Sequence, residues 1–342
     1  TTGIETVNIN LSDATTTNNV ALSMTNSKAA TITAKGGAAG AVLALGTLNA
    51  AVRTVDVAAY AGEVSFTGVN ATAGMTVTAS SSAAADDFTT SAFADTITVG
   101  ETGAVDVDVD GGNGTDTLNL SVKAGFIDTA NIDNIENVNI TVRAGDSITI
   151  GANANEANGI DEAKAFTLAG GNELSVFKIG GAGDNLAGTT LLSVDGATFA
   201  GKMDLAYAAD TLLSTMVIKA GALTTDTVRA LYDTTGLSAT LQTNGVENVR
   251  VDLDSANNGG ETYTTSLSKM VGLKTLAAQS SATGNTTWNV TDYDSAVTLQ
   301  LGDSINDDAT RDVGEEFANS STVAVTLASA SGTADALNIN LQ

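Results

Sequence analysis

The chain has 342 residues and a formal net charge of −25, from 39 acidic and 14 basic residues, and it contains no Cys, His or Pro. The charge excludes nucleic acid and anionic membranes as natural partners. The missing His and Cys exclude Ser-His-Asp and Cys-His catalytic arrangements. With 43% hydrophobic residues the chain can bury a core, and no apolar run approaches the roughly 20 residues of a transmembrane helix.

Short strand candidates rich in β-branched residues follow one another along the chain, separated by Gly, Asn, Asp and Ser. This pattern predicts an all-β sandwich, barrel or solenoid. The absence of Pro, small Ala-rich inward positions and only 4% aromatic residues favour a parallel β-helix or β-solenoid. Tandem β-sandwich domains are the alternative. The clearest candidates are 30–34, 75–79, 96–99, 147–150, 286–290 and 296–301.

One strand phrase recurs, in which apolar and polar residues alternate so that one face is buried and the other is wet. Its strong copies lie at 3–9, 134–140 and 245–251. They are 131 and 111 residues apart, so they define no short fixed period. The copies mark either similar modules or similar corners of one coil.

Thr-x-Thr triplets begin at Thr31, Thr76 and Thr96. A flat threonine array of the kind that binds ice needs equal spacing, and the offsets here are 45 and 20 residues. We therefore expect ordinary surface threonines rather than a regular array.

Two short helices interrupt the predicted strands. At 225–232, Asp226 is a potential N-cap and Val228, Leu231 and Tyr232 have helical spacing; a second helix is predicted within 205–216. We treat 1–342 as one extended solenoid-like region with potential internal boundaries at 151–163 and 254–261, which are polar and Gly/Asn-rich. Both ends of the chain have strand patterns, so we expect it to be a processed or excerpted part of a longer protein.

The stretch 111–119 fits the nonapeptide G-G-x-G-x-D-x-U-x, with U a large apolar residue, which is the calcium-binding turn of RTX-type β-rolls. The glycines allow a tight turn whose carbonyls face a cation, and the aspartate supplies an anionic oxygen. Just upstream, 105–110 alternates Val and Asp, which places three carboxylates on one strand face. Their repulsion predicts a cation. The predicted ligands here are Asp106, Asp108, Asp110, Gly112, Asn113, Gly114 and Asp116.

Two further acidic loops also supply oxygen ligands, although neither has the EF-hand spacing. Carboxylates without His or Cys favour calcium over zinc or copper. Paired carboxylates of a glycan-cleaving enzyme remain conceivable, but the chain has few aromatic residues to form a sugar-binding cleft, and we expect no enzyme. The predicted ligands in the two loops are Asp252, Asp254, Asn257, Asp303, Asp307, Asp308 and Asp312.

The phrase at 4–9, the nonapeptide at 111–119 and the segment 332–338 carry a family resemblance. The chain resembles bacterial surface-layer (S-layer) proteins of the RTX-containing, type I-secreted kind, although the tandem nonapeptide arrays of that family are absent. The resemblance implies a secreted cell-surface protein in which calcium orders β-rich domains that contact copies of themselves to form a two-dimensional lattice. Asp116 and its glycines match the family's calcium turn.

We therefore expect a structural, self-assembling protein that depends on calcium. Its partners would be other copies of itself, with surface polysaccharide or lipopolysaccharide bound through a region outside this chain. The alternative is an RTX-like secreted adhesin that binds a surface or matrix ligand, and a glycan-cleaving β-helix enzyme is a third option.

Overall fold

The fold consists of β-strands joined by turns, as seen in a computed structural model. It describes residues 4–13, 15, 19–23, 28–69, 72–80, 86–100, 107–122, 131–150, 160, 163–179, 192–208, 216–232, 238–239, 241–253, 262–280, 287–302, 322–328 and 337–341. Within these ranges no helix forms, and so none there could cross a membrane. The prediction of an all-β chain is confirmed. The chain divides into two compact units, Thr1–Ala169 (unit 1) and Gly170–Gln342 (unit 2).

Unit 1 is a β-solenoid in which the chain passes alternately through two parallel sheets. One sheet has the order β1-β3-β5-β7-β9-β11-β13-β15, the other has the order β12-β10-β8-β6-β4-β2, and β14 lies in neither. The strands are β1 (Thr6–Leu11), β2 (Val20–Ala21), β3 (Thr31–Gly36), β4 (Val42–Thr47), β5 (Thr54–Tyr60), β6 (Glu63–Thr67), β7 (Thr76–Thr78), β8 (Asp87–Thr89), β9 (Thr96–Val99), β10 (Asp108–Asp110), β11 (Thr117–Val122), β12 (Asn131–Asp133), β13 (Asn137–Val142), β14 (Ser147–Ile150) and β15 (Ala165–Gly170).

Unit 2 is also a parallel β-solenoid. Its sheets have the orders β17-β19-β22-β25, β16-β18-β20-β23-β26-β28-β30 and β21-β24-β27-β29. The strands are β16 (Val176–Ile179), β17 (Ser193–Phe199), β18 (Lys202–Ala208), β19 (Val217–Lys219), β20 (Thr227–Tyr232), β21 (Ser238–Ala239), β22 (Gln242–Asn244), β23 (Asn248–Leu253), β24 (Thr262–Ser266), β25 (Met270–Val271), β26 (Thr275–Ser280), β27 (Thr287–Tyr293), β28 (Thr298–Leu301), β29 (Thr322–Leu327) and β30 (Asn338–Leu341). Because the strand pairs are parallel in both units, the β-helix prediction is confirmed, and the alternative of tandem β-sandwiches, which are antiparallel, is wrong.

Each core is a stack of apolar side chains in register. Every inward position of the stack lies directly over its equivalent one turn away, so aliphatic residues fill much of the interior. Aromatic rings are buried beside them, among them Phe88 in unit 1 and Trp288 in unit 2. All members of both stacks are fully buried. In unit 1 the stack is Ile32, Val55, Val77, Ile97, Leu118 and Val138, and in unit 2 it is Leu205, Val228, Val249, Leu276 and Leu299.

The recurring phrase marks corners of the coil. Its glutamates, Glu5, Glu136 and Glu247, stand directly before the second half of the phrase, which forms β1, β13 and β23. The carbonyl oxygen of Glu136 accepts the N–H groups of Lys164 and Ala165 one turn later, and those of the other two glutamates accept equivalent pairs. The phrase therefore encodes a turn-to-strand corner that hydrogen-bonds the next turn.

The predicted helices are both wrong within the described residues. Residues 227–232 form β20, because Val228 and Ala230 point inward with the two-residue period of a strand. Asp226 caps no helix; its carboxylate accepts the N–H of Met203. Of the second predicted helix, 205–208 belong to β18, Met216 precedes β19, and 209–215 lie outside the described residues. Pairing with neighbouring turns overrides the local helical spacing.

The expectation that the threonines form no regular array is also wrong. Strand pairing keeps the columns in register because turns of different length take up the unequal spacing. The result is two adjacent columns of side chains on the outer face of the sheet, in which Asp56 is the one charged residue. The first column contains Thr31, Thr54, Thr76, Thr96 and Thr117, and the second contains Thr33, Asp56, Thr78, Thr98 and Asn119.

Candidate functional site: two acidic corners

The predicted nonapeptide forms the turn between β10 and β11. Gly112 and Gly114 have left-handed backbones, with φ of 79° and 147°. A Cβ atom on Gly112 would lie 2.3 Å from the carbonyl oxygen of Ser91, and one on Gly114 would lie 2.8 Å from that of Phe93. Glycine is therefore required at both positions, by its backbone angles and by the close approach of the preceding turn.

The Val-Asp alternation before this turn is confirmed for 107–110. The two valines are buried, and the side chains of Asp108 and Asp110 are half-buried on the opposite face of the strand. Asp110 Oδ1 accepts hydrogen bonds from the backbone N–H of Gly112 at 2.9 Å and from Asn134 Nδ2 at 2.8 Å. Asp110 therefore helps to fix the glycine turn that follows it.

Asp116 ends the turn, and its side chain is fully buried. Its Oδ1 accepts the backbone N–H of Asp95 at 2.7 Å, and its own N–H donates to Glu136 Oε2 at 2.8 Å. The three residues occupy the same corner in successive turns, since the strands that follow them pair in register. Asp116 therefore joins neighbouring turns from the inside, whereas Asp108 and Asp110 lie on the wet face. We call Asp116 with Glu136 the first corner.

The first corner leaves one carboxyl oxygen without a hydrogen-bond partner among the described residues. Asp116 Oδ2 finds no hydrogen-bond partner among the described residues, whereas both carboxylate oxygens of Asp95 accept hydrogen bonds from Ser91. The pKa of Asp116 is raised to about 7, mainly by burial and further by the carboxylates of Asp95, Glu136 and Asp110, against the lowering effect of the Asp95 N–H. The neighbouring carboxylates therefore favour the binding of a positively charged species, a proton or a cation, at this corner.

A second corner of the same construction lies in unit 2, where no site was predicted. Asp226 is fully buried. Its Oδ1 accepts the N–H of Met203 at 2.7 Å, and its own N–H donates to Glu247 Oε2 at 3.3 Å. Asp226 Oδ2, like the second oxygen of Asp116, has no partner within the part of the chain that the structure describes. We call Asp226 with Glu247 the second corner.

The sequence does contain a signal for this repetition. Residues 111–118 read GGNGTDTL and 221–228 read GALTTDTV, with the aspartate at the same place. The recurring phrase supplies the glutamate in both corners, at IENV (135–138) and VENV (246–249). The nonapeptide criterion missed the second corner because Ala222 and Thr224 replace two of the glycines.

The two corners differ in the charges around the aspartate. The pKa of Asp226 is raised to about 6, chiefly by burial, and Glu247 also raises it, while the N–H of Met203 and the ammonium of Lys202 lower it. The first corner has three neighbouring carboxylates in this role, and the second has one carboxylate and one cation. The second corner is therefore the weaker attractor of a divalent ion.

The structure does not test the remaining predicted ligands as metal sites. Asp252 lies in β23, and nothing is described of its side chain, while Asn113 is exposed in the first-corner turn. Within the described ranges no group of three or more acidic side chains is arranged to hold a metal ion. The predicted ligands outside the described residues are Asp106, Asp254, Asn257, Asp303, Asp307, Asp308 and Asp312.

Comparison with known proteins gives no relative: no protein-family model, curated protein or solved structure matches this chain. The interpretation of the two corners therefore rests on their own chemistry.

Proposed function

We propose that this chain is a structural protein of the cell exterior that assembles with copies of itself in the presence of calcium, in the manner of a surface layer. The architecture suits this role, because a parallel solenoid presents strand edges to which another strand can add. The charge of −25 opposes association, and a divalent cation would relieve it. The acidic, cysteine-free composition is compatible with a secreted protein of the RTX-containing kind.

The observation that carries this proposal is the state of the first and last strands. In the described residues β1 pairs with β3 alone and β30 with β28 alone. The apolar residues beside these edges remain exposed: Ile4 by 68%, Leu337 by 44% and Ile339 by 49%. Equivalent inward residues of inner turns are fully buried. An exposed parallel edge flanked by apolar side chains accepts an added strand, and the proposal assigns that strand to another copy.

The two end strands also share a sequence. Asn8–Leu11 and 338–341 both read Asn-Ile-Asn-Leu. Inside unit 1 such Asn positions stack favourably, since Asn139 Nδ2 donates to Asn119 Oδ1 of the neighbouring turn at 2.9 Å.

The first corner is the described place that fits calcium best. Asp116 Oδ2 is a buried carboxyl oxygen without a partner among the described residues, and Asp95, Glu136 and Asp110 make its surroundings negative. Calcium takes six to eight oxygen ligands, so carbonyl groups or water would have to complete the shell. Bound there, the ion would neutralise these carboxylates, and its binding free energy would add to folding stability.

A second candidate function, an adhesin, is favoured by the outer columns of unit 1. They display Thr and Asn side chains in register with a single charge, on a chain that is otherwise strongly acidic. β-Branched threonines hold few rotamers, so the face is ordered before a ligand arrives. An uncharged, hydroxyl-rich ligand such as a neutral glycan would suit it.

Sedimentation velocity of three single variants separates the candidates. Ile4→Lys and Ile339→Lys place a charge beside an end strand, and Thr76→Lys makes a matched change on the outer face of a middle turn. For the lattice protein, assemblies form in calcium for wild type and Thr76→Lys but not for the two end variants. For the adhesin, all four chains stay dispersed, and Thr76→Lys loses binding on an array of neutral glycans. Assembly of both end variants at the wild-type level would contradict the proposed edge contact.

A further inference from the structure

The second corner carries an inference independent of calcium and of assembly. Asp226 is fully buried, its backbone N–H donates to Glu247, and one of its carboxyl oxygens accepts the N–H of Met203. The other oxygen has no partner within the described residues. An ionised carboxylate is strongly unfavourable when it is buried with only one oxygen hydrogen-bonded, and protonation removes most of this penalty.

The groups facing Asp226 decide between a proton and a metal ion. Glu247 brings one negative charge, and Lys202 brings a positive charge that repels a divalent ion. The glycines of the first corner are replaced by Ala222 and Thr224. One free carboxylate oxygen beside an ammonium group falls far short of the six to eight oxygens of a calcium site.

We propose that Asp226 takes up a proton in the folded chain in mild acid, so that the second corner is a proton-binding site that makes unit 2 more stable in mild acid than in mild base. Its folded pKa of about 6 lies above the unfolded value of about 3.9. The stabilisation by the bound proton is therefore complete below about pH 4 and is lost as the pH rises through about 6.

The direct measurement is a titration of the whole chain labelled with ¹³C at the aspartate carboxyls. The resonance that disappears in Asp226→Asn identifies the group. It should titrate with a midpoint near pH 6, in calcium and in chelator alike. A midpoint near pH 4, or one that moves with calcium, would overturn the proposal; the second result would place the metal on Asp226.

Stability measurements test the same point from the other side. Asn mimics the neutral acid, so Asp226→Asn should unfold at a higher temperature than wild type at about pH 8 and lose this advantage near pH 5. The control is Asp195→Asn in the same unit, where the hydrogen bond from Lys219 lowers the pKa of Asp195, so the difference from wild type should have the opposite pH trend. A difference from wild type that does not change with pH would mean that folding leaves the pKa of Asp226 unchanged, and would overturn the proposal.

Glu247→Gln keeps the proposal testable if Asp226→Asn fails to fold. The amide oxygen can still accept the N–H of Asp226, but the negative charge that raises the pKa of Asp226 is gone. The titration midpoint of Asp226 should then move to lower pH. An unchanged midpoint would mean that the resonance belongs to another group and would overturn the assignment.

Discussion

The two acidic corners have the same hydrogen bonds and different surroundings. In each, a buried aspartate accepts an N–H from the preceding turn and donates its own N–H to a glutamate of the following turn. The first corner adds three carboxylates and a glycine turn, whereas the second adds one carboxylate, a lysine and a turn without those glycines. The same hydrogen-bonding arrangement can therefore favour either a cation or a proton, depending on the charges of the neighbouring residues.

The glycine turn gives the largest expected difference between the corners. Gly112→Ala places a Cβ 2.3 Å from the Ser91 carbonyl on a residue with φ of 79°, so the free energy of unfolding should fall by about 3 kcal/mol. The corresponding residue of the second corner is already Ala222. Gly100→Ala is the control, because its Cβ would meet nothing within 4 Å. Denaturant unfolding gives both values, and equal effects would show that the close approach does not constrain the turn.

The second largest expected difference between the corners is the stabilisation that calcium gives. At about 100 times its dissociation constant, calcium stabilises a binding chain by about 2.7 kcal/mol. Asp116→Asn should lose most of the calcium-induced rise in melting temperature, whereas Asp226→Asn should keep it. If both variants respond like wild type, the calcium of this protein binds elsewhere.

The glutamate caps offer a smaller comparison. Glu136→Ala leaves the N–H of Asp116 without its acceptor and should lower the free energy of unfolding by about 1–3 kcal/mol. Glu247→Ala should cost less, because its bond to Asp226 is 3.3 Å long rather than 2.8 Å. The Gln variants, which retain an acceptor, serve as controls. Chemical denaturation of the four variants tests the order, and a larger loss for Glu247→Ala would reverse it.

The smallest expected effect is that of a surface ion pair in unit 2. Asp195 and Lys219 are 2.9 Å apart and more than one third exposed, so Asp195→Asn should cost no more than about 0.5 kcal/mol at neutral pH. The lowered pKa of Asp195 means that this contribution is present above the unfolded pKa and disappears as the pH falls through the folded one. A loss above 1 kcal/mol would show that exposure screens this pair less than expected.

Much of the fold could be predicted from local sequence. β-Branched strands and Gly/Asn/Asp turns indicated a solenoid, and strands such as 96–99 and 147–150 have the predicted bounds. The helix at 225–232 was wrong because Val228 and Ala230 obey the period of neighbouring strands, which local spacing does not show. The threonine columns were missed because register depends on turns of unequal length.

The candidate site was predictable in part. The nonapeptide pattern led to the glycines that the turn requires and to Asp116. The alternation before the turn predicted that Asp108 and Asp110 lie opposite the buried valines, but the sequence could not show that Asp116 faces inward. The corners themselves join residues that are 20 and 21 positions apart, and no local pattern reveals which glutamate meets which aspartate. The repeated phrase around Glu136 and Glu247 was visible in the sequence. Only the contacts between neighbouring turns show that these glutamates accept the N–H groups of Asp116 and Asp226.

Electron microscopy of the purified chain in calcium, and again after chelation with EDTA, tests calcium-dependent self-assembly most directly. We expect ordered sheets in calcium that dissolve into dispersed particles on chelation and re-form when calcium is restored. Dispersed particles in calcium, or sheets that persist in EDTA, would contradict it.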